Sequence, residues 1–271
     1  MVFTINKFIK IIIFWSFCST HFVLGAVLTP QENLNIAIDL DGTLVYHHAH
    51  MQNDAIILGI PYGFAHGAVE LLAALHEMKA TLTFYSAGSH DRNTFLISRL
   101  IQEVEKKAGR KISEYTILSR DLIPIEGTKN LNLLVSRNLD LNRTILIDDN
   151  PTVAYENQRR NLLRLDFDMM DIMQTPENPC SEPDQIEQIQ LKNNLVRATG
   201  LLLKAIEVAQ HKKIHLVDAL SDLQWEERYL HEETHDKSIY RLGLTALREI
   251  NPDFQLYTEL SFFSDKILYP W

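Results

Sequence analysis

Short apolar runs alternate with helical patterns between residues 35 and 147, and this alternation limits the possible folds more than any other feature of the sequence. The runs that predict strands lie at 35–40, 80–85, 115–118 and 144–147, and the patterns that predict helices lie at 68–78, 91–107 and 129–137. Strands separated by helices at this interval run parallel and are joined by right-handed crossovers. The sequence therefore predicts an α/β domain.

The first predicted strand carries two aspartates into a glycine turn. Asp39 and Asp41 are two positions apart, so their side chains leave the strand end on the same side. Gly42 permits a sharp turn, and Thr43 offers a hydroxyl and an amide. Two such carboxylates make either a metal site or a nucleophile with an acid/base partner, although an Asp-Gly pair is also a common surface turn.

Three further polar groups follow in order along the chain. Ser86 follows the second strand, Lys129 precedes a predicted helix, and Asp148 and Asp149 follow the last strand. Each alone has an ordinary interpretation as a turn residue or a solvated side chain. However, sites in parallel sheets form outside the carboxyl ends of the strands, and Asp39, Ser86 and Asp148 are all expected there.

Together these groups resemble the haloacid dehalogenase (HAD) superfamily. Within it, the chain is most similar to the NLI-interacting-factor-like group, which includes the small C-terminal-domain phosphatases. The matching stretches are Asp39–Val45, Phe84–Ala87, Lys129–Leu131 and Leu139–Pro151, followed by Tyr155. The resemblance covers residues 34–172. Gly42 departs from that group, which usually has Glu there, but it is the commoner choice in the superfamily.

The resemblance implies a HAD-like Rossmannoid parallel sheet flanked by helices, with no cap domain or a minimal one. It also implies a phosphatase that hydrolyses phosphomonoesters. Asp39 would attack phosphorus to form an aspartyl-phosphate, and Asp41 would protonate the leaving oxygen and then activate water. Ser86 and Lys129 complete the expected catalytic set by holding the phosphoryl oxygens and neutralising charge.

The same resemblance implies a phosphate site and a magnesium site. The expected phosphate-binding residues are Thr43, Ser86, Ala87 and Lys129. The expected Mg²⁺ site is formed by Asp39, Asp41, Asp148 and Asp149, with a main-chain carbonyl near Asp41 and with Asp149 acting through water. An all-oxygen set of this kind suits a hard cation.

The segment 45–66 is too short for a full cap domain, which predicts an open site, although the C-terminal part could itself cover it. Superfamily members with open sites tend to act on large phosphorylated partners, so the resemblance favours a phosphorylated protein as substrate. Its aromatic and histidine side chains are candidates for lining the entrance: Tyr46, His47, His48, His50 and Tyr62. The histidines could instead hold a second metal or be solvated. Tyr85 and Arg92 flank Ser86, where they could touch substrate or serve as a core tyrosine and a surface arginine.

Residues 1–26 have the pattern of a signal peptide, with Lys7 and Lys10 ahead of an apolar stretch that ends near Ala26. An uncleaved membrane anchor is the alternative. The sequence thus predicts an exported protein, periplasmic or secreted, that meets a membrane only if this segment is kept. Because Cys18 lies in this segment, Cys180 has no internal disulfide partner in a cleaved chain.

A formal charge of −9 excludes a general nucleic-acid-binding protein. Prolines between 176 and 183 indicate a boundary, so we expect a core at 31–175 and a mainly helical extension at 184–271. Helices are predicted up to about 210, at 214–232 and at 237–250, with apolar faces that pack against the core.

Three functions fit the sequence. The first is a Mg²⁺-dependent protein phosphatase acting on phosphoserine, phosphothreonine or phosphotyrosine. The second is an exported broad-specificity acid phosphatase or nucleotidase that acts on small phosphomonoesters. The third is a non-catalytic protein that keeps the HAD fold to bind partners.

Overall fold

A computed structural model describes residues 27–47, 55–57, 60–123, 127–134, 139–165, 193–230 and 233–256. The predicted signal segment 1–26 and the predicted proline-rich boundary at 174–184 lie outside the described residues. Within the described residues, no helix combines the length and the hydropathy needed to cross a bilayer.

A parallel sheet forms the centre of the protein, as the sequence predicts, and it has a fifth strand in addition to the four predicted ones. Its strands in chain order are β1 (Asn35–Ile38), β5 (Thr81–Tyr85), β6 (Tyr115–Leu118), β7 (Thr144–Asp148) and β8 (Leu162–Arg164). Across the sheet the order is β6-β5-β1-β7-β8. The central strand β1 therefore pairs with β5 on one side and with β7 on the other, in parallel register.

Both faces of the sheet are buried, which explains the continuous apolar run in β1. Ile36 and Ile38 lie in the main core with residues of the helices, and Ala37 lies in a separate cluster on the other side. That second cluster includes Leu131 and Val153 from irregular segments. One face is thus covered by helices and the other mainly by loops.

Two helices follow the predicted positions closely. α1 (Ala68–Glu77) and α2 (His90–Ala108) pack against each other on the main core. α2 begins directly after the loop that follows β5 and ends at Gly109, whose φ of 64° is the left-handed conformation that glycine adopts easily. The side chains near the start of α2 are therefore held at the carboxyl end of the sheet.

A second, three-stranded antiparallel sheet lies between β1 and α1. Its strands are β2 (Val45–His47), β3 (Ala55–Ile57) and β4 (Ile60–Phe64), in the order β2-β4-β3. The sequence predicts only a loop here, because the strands are three to five residues long and lack clear alternation. This insertion is far smaller than a domain and carries Tyr62 on its central strand.

The described residues of the C-terminal part form three helices, as predicted: α3 (Asn194–Lys212), α4 (Leu216–Leu230) and α5 (Glu233–Ile250). α3 contacts α4 and α5, and α5 also packs on α1. Gly200 of α3 and Gly243 of α5 lie where the two helices cross, and a Cβ at either position would lie about 2 Å from a carbonyl oxygen of the other helix. The extension is therefore part of the same core.

The helix expected at 129–137 is wrong. Lys129 instead donates its backbone N–H to the Val153 carbonyl at 2.7 Å, and within the described residues 127–134 a 3₁₀ turn follows at Leu131–Leu133. The Asn130 side chain accepts the Asn132 N–H and holds this turn, and Leu134 is extended. Asn and Asp often compete with helix formation in this way.

Candidate active site

Asp39 directly follows the central strand β1, at the edge of the sheet where the strands have their carboxyl ends. Its backbone N–H continues the ladder to β7 by donating to the Ile147 carbonyl at 3.0 Å. Its side chain is almost fully buried. Since Ser86 follows β5 and Asp148 ends β7, the two neighbouring strands bring both residues to the same edge.

Lys129 links two of these acids. Its ammonium group donates to Asp39 Oδ1 at 2.7 Å and to Asp148 Oδ2 at 2.6 Å. Lys129 is itself buried, and its Nζ lies 5.8 Å from the centre of the Tyr85 ring. A cation is therefore fixed between the two buried carboxyl groups.

The loop that carries Lys129 is held by a buried glutamine. Gln158 accepts the Leu131 N–H at 2.8 Å and donates to Asn130 Oδ1 at 3.2 Å. Tyr85 Oη accepts the Asn130 N–H at 3.2 Å. These bonds position the loop backbone next to the lysine, so Lys129 enters the site from a fixed turn.

Asp39, Asp148 and Asp149 form a group whose carboxylate oxygens lie within 4.8 Å of one another. Asp148 also accepts the Asn150 N–H at 2.9 Å, which orients it, and Thr43 Oγ1 lies 3.5 Å from Asp149 Oδ1. Three carboxyl groups around one ammonium leave negative charge at this point. The oxygen donor set and its excess charge both fit Mg²⁺.

The pKa values reflect this crowding. Burial raises the pKa of Asp39 to about 7, an effect that Lys129 partly opposes and Asp148 reinforces. Burial, together with the neighbouring Asp148, raises the pKa of Asp149 to about 6. Burial disfavours the charged form of Lys129, but the Asp39 and Asp148 carboxylates outweigh it and raise the lysine pKa.

Asp41 lies at the same edge but is not part of the acidic group. Its side chain is 49% exposed and forms an ion pair with Arg92. Ser86 Oγ donates to Asp41 Oδ2 at 3.3 Å. The expected metal contact of Asp41 through its main chain stays a prediction, while its carboxyl group lies beside Ser86, where an acid/base partner would be needed.

The loop after β5 presents Ser86, Ala87 and Gly88. Ser86 is buried, and its Oγ accepts the Gly88 N–H at 3.2 Å. The fully buried Asn93 donates to the Gly88 carbonyl at 3.1 Å, and Arg120 Nε donates to the Ala87 carbonyl at 2.8 Å. Both carbonyls thus have partners, and the loop has a fixed shape beside Asp41.

The structure places the residues expected at the entrance in different surroundings. Tyr62 contacts Arg92, and Tyr46 is half-buried against the main core. His47 ends β2, but its side chain, like all of His48 and His50, lies outside the described residues, so a second metal there stays a prediction. Tyr85 is a core tyrosine whose hydroxyl supports the lysine loop, and Arg92 reaches the site.

Sequence reasoning missed several supporting residues. Gln158, Asn93 and Arg120 hold the loops around Lys129 and Ser86, yet each lies in a segment with no recognisable motif. Gly42 is explained by its φ of 76°, a conformation in which a side chain such as Glu is strained. Asn93 could have been suspected because it is a polar residue in line with the buried positions Leu96, Ile97 and Leu100 of α2.

The site combines four groups: the buried Asp39 carboxylate, the Lys129 ammonium in contact with it, the nearby Asp41 carboxyl group and the Ser86 hydroxyl. A buried carboxylate beside a metal site can attack phosphorus, because positive charge reduces its repulsion from a phosphate dianion. The partly exposed Asp41 can exchange a proton with a leaving group or with water. These are the parts that phosphoryl transfer to and from an aspartate requires.

Comparisons with known proteins address the family directly. The profile of the family described as NLI interacting factor-like phosphatase matches residues 34–171, just over half of the chain. No curated protein matches the chain significantly. The matched range contains both sheets, Lys129 and the acidic group.

Parts of the chain are similar to two solved structures. One is Fcp1, an essential RNA polymerase II CTD phosphatase, with 17% identity and a TM-score of 0.37, covering 55% of this chain and 45% of that chain. The other is a variant of the fission yeast RNA polymerase II CTD phosphatase Fcp1 bound to beryllium fluoride, with 15% identity and a TM-score of 0.38, covering 78% and 69%. The family profile, and not these distant structures, decides the assignment. The chain belongs to the NLI interacting factor-like phosphatase family.

Proposed function

We propose that this protein is a Mg²⁺-dependent phosphomonoester hydrolase that forms an aspartyl-phosphate on Asp39 and acts on phosphorylated proteins. The observation that carries the proposal is the contact of buried Lys129 with both Asp39 and Asp148, beside Asp149. A purely structural role accounts poorly for two buried carboxyl groups with a third beside them at the strand ends. A phosphatase site would use all three, because they can bind a metal ion that, together with Lys129, offsets the negative charge of the phosphoryl group.

Asp39, Asp148 and Asp149 would hold Mg²⁺, since their oxygens lie together and their charge exceeds that of Lys129. When bound, the ion supplies positive charge that lowers the repulsion between Asp39 and the phosphate. Lys129 would contribute a second positive charge beside Asp39, and its hydrogen bond holds that carboxylate in place.

In the first half of the reaction, an Asp39 oxygen forms a bond to phosphorus while the bond from phosphorus to the leaving oxygen breaks. Asp41 gives its proton to that leaving oxygen, so the alcohol departs neutral. In the second half, Asp41 takes a proton from water as the water oxygen attacks phosphorus. The Asp39 bond to phosphorus then breaks, and inorganic phosphate and the free carboxylate are restored.

The residues around Asp41 hold the phosphoryl oxygens. Ser86 lies between Asp41 and the Ala87–Gly88 turn, where its hydroxyl can donate to a phosphoryl oxygen. Thr43, in the turn after Asp41, is buried beside Asp149 and can donate from its backbone amide or hydroxyl. We assign both residues to phosphate binding, together with Ala87 and Lys129.

The small size of the second sheet favours a large substrate over a small molecule. The strands β2, β3 and β4 span only residues 45–64, so the insertion after Asp39 is too small to enclose a small molecule in the manner of a cap domain. An open edge admits a phosphorylated side chain that remains attached to a protein. Phosphoserine, phosphothreonine and phosphotyrosine are all candidates.

The test compares the chain with Asp39→Asn, using hydrolysis of an aryl phosphate with Mg²⁺ and with a chelator. We expect metal-dependent turnover that the variant loses. Trapping of ³²P on the protein after acid quenching, absent from Asp39→Asn, would support the covalent intermediate. No turnover in either protein would contradict the proposal and favour the non-catalytic binding protein.

A substrate panel then separates a protein phosphatase from an acid phosphatase or nucleotidase. We expect higher kcat/KM for phosphopeptides than for nucleotides and sugar phosphates. The reverse order would favour the small-molecule enzyme.

The exported location inferred from residues 1–26 belongs to the same proposal. N-terminal sequencing of the protein from its source cells tests it by showing whether the chain starts near residue 27.

A further inference from the structure

The Asp41 side chain occupies an exposed position on a tight turn. The backbone around it is fixed, because the Val45 N–H donates to the Leu40 carbonyl at 2.8 Å and the Gly42 N–H donates to the Val45 carbonyl at 3.0 Å. The carboxyl group itself is half-exposed and could rotate. A proton donor that rotates freely is inefficient, so a partner that fixes it would have value in catalysis.

Arg92 contacts both oxygens of that carboxyl group. Its Nη1 donates to Asp41 Oδ2 at 3.0 Å, and its Nη2 donates to Oδ1. Such a two-point contact fixes the plane and the rotation of a carboxyl group, which a single hydrogen bond does not. Ser86 Oγ reaches the same Oδ2, so the carboxyl group is held towards the expected phosphate site.

The guanidinium of Arg92 is held on its other sides. Its Nε donates to Tyr62 Oη at 3.3 Å, its carbon lies 5.0 Å from the centre of the Tyr62 ring, and its Nη1 also donates to Asn93 Oδ1 at 3.1 Å. The Arg92 side chain is only 18% exposed. The small second sheet, through Tyr62, thus fixes the arginine that contacts Asp41.

The position of Arg92 has no benefit for helix stability. It lies in the first turn of α2, where the helix dipole favours acidic side chains and disfavours cations. A half-exposed ion pair contributes little to stability. A structural role therefore accounts poorly for an arginine with four separate contacts at this point.

We propose that Arg92 is a positioning residue that fixes the Asp41 carboxyl group for proton transfer to the leaving oxygen. The assignment rests on the proposed function, because it requires Asp41 to act as the acid/base. A protonated Asp41 keeps one guanidinium hydrogen bond on its carbonyl oxygen while its O–H faces the leaving oxygen. After the proton has moved to the leaving oxygen, Arg92 again holds both oxygens of the carboxylate.

Leaving-group dependence tests this role. Poor leaving groups need a proton from Asp41 and good ones do not, and kcat/KM reports the steps through transfer to Asp39. Because a general acid contributes about 10²-fold to 10⁴-fold, we expect Arg92→Met to lower kcat/KM about 10-fold to 100-fold for phenyl phosphate and less than about 3-fold for 4-nitrophenyl phosphate. Arg92→Lys, which keeps charge without the two-point contact, should show an intermediate loss.

Three controls complete the experiment. Arg99→Met removes an exposed arginine of the same helix that contacts Gln102, and it should leave both substrates unaffected. In an Asp41→Asn background, Arg92→Met should cause no further loss, because both changes act on one step. Tyr62→Phe, which removes one anchor of Arg92, should cause a weaker form of the same leaving-group effect and provides the comparison if Arg92→Met fails to fold.

Several results would overturn the assignment. Equal losses for both substrates, a change confined to KM, or an additive loss in the Asp41→Asn background would each assign Arg92 to substrate binding or to structure. These results leave the proposed function intact, provided that Asp39→Asn remains inactive. If the unmodified chain has no Asp39-dependent turnover, the proposed function fails, and the role of Arg92 fails with it.

Discussion

The ammonium group of Lys129 lies 2.7 Å from Oδ1 of Asp39, a residue 90 positions earlier in the chain. It also lies 2.6 Å from Asp148 Oδ2, so one lysine contacts two buried acids at the ends of adjacent strands. This contact bears on both stability and catalysis. The Asp39 carboxylate, whose negative charge is unfavourable in a buried position, is also the group that would attack phosphorus.

Lys129→Met should therefore damage both properties. Without the ammonium, Asp39 and Asp148 face each other in a buried site, and breaking such a pair costs about 3–5 kcal/mol. We expect a large drop in the free energy of unfolding of the metal-free protein, partial recovery with Mg²⁺, and loss of turnover. Chemical denaturation with and without Mg²⁺ measures the first two effects.

Lys106→Met is the matched control, because that lysine is 73% exposed and forms an ion pair with Glu103 of its own helix. Its effect on the free energy of unfolding should stay within about 0.5 kcal/mol. If Lys129→Met were equally harmless in the metal-free protein, the buried ion pairs would not have the role assigned to them.

The stability of the metal-free protein should fall as the pH rises. Folding raises the pKa of Asp39 from 3.8 to about 7 and that of Asp149 from 3.8 to about 6, so the folded state binds these protons more tightly than the unfolded state. Their contribution to stability is complete below pH 3.8 and is lost as the pH passes through about 6 and about 7. Thermal unfolding across this range, with Asp39→Asn as the comparison, should show a smaller decline in the variant.

The affinity for Mg²⁺ should rise with pH, in contrast to the stability of the metal-free protein. Because the ion requires ionised carboxylates, it competes with protons on Asp39 and Asp149, and its affinity should rise as the pH passes through about 6 and about 7. Calorimetric titration in two buffers of different ionisation enthalpy measures the released protons. A pH-independent affinity with no proton release would place the ion away from these residues.

Ser86→Ala should leave a residual activity, in contrast to Asp39→Asn. The hydroxyl supplies one donor among several around the phosphoryl group, and loss of one such donor typically lowers kcat about 10²-fold to 10³-fold. Ser86→Thr keeps the hydroxyl and should retain more activity than Ser86→Ala. Steady-state kinetics on an aryl phosphate distinguishes the three variants, and full activity of Ser86→Ala would exclude the hydroxyl from phosphate binding.

Gly200→Ala should destabilise the C-terminal helices. The added Cβ would lie 2.0 Å from the Ile239 carbonyl oxygen, so α3 and α5 would have to move apart. Overpacking of this kind costs about 1–3 kcal/mol. Glu207→Ala, an exposed change on the same helix, serves as control in thermal unfolding, and an unchanged transition for Gly200→Ala would show that the two helices pack less closely.

The strand ends were predictable because they depend on local patterns. The apolar runs before Asp39, Ser86 and Asp148 predict parallel strands, and parallel strands present their carboxyl ends at one edge. The acidic group could be anticipated for the same reason. The roles assigned to these residues in catalysis and in metal binding remain predictions until the variants above are measured.

The segments with irregular backbone were not predictable in the same way. The leucines after Lys129 have helical spacing, but a backbone bond to Val153 and the side chain of Gln158 hold them in a short turn. The strands β2, β3 and β4 are too short to show a period, and pairing with one another stabilises them.

The sequence by itself determined the α/β fold and the positions of the acidic and hydroxyl groups at the strand ends, because burial and alternation act over a few neighbouring residues. Only the tertiary structure decided which partner each group meets. Lys129 bonds to Asp39 and Asp148, whereas Arg92 and Ser86 contact Asp41, so the two aspartates of one turn face different surroundings. Such contacts join residues far apart in the chain, and they depend on strand order and loop path, which no local pattern contains.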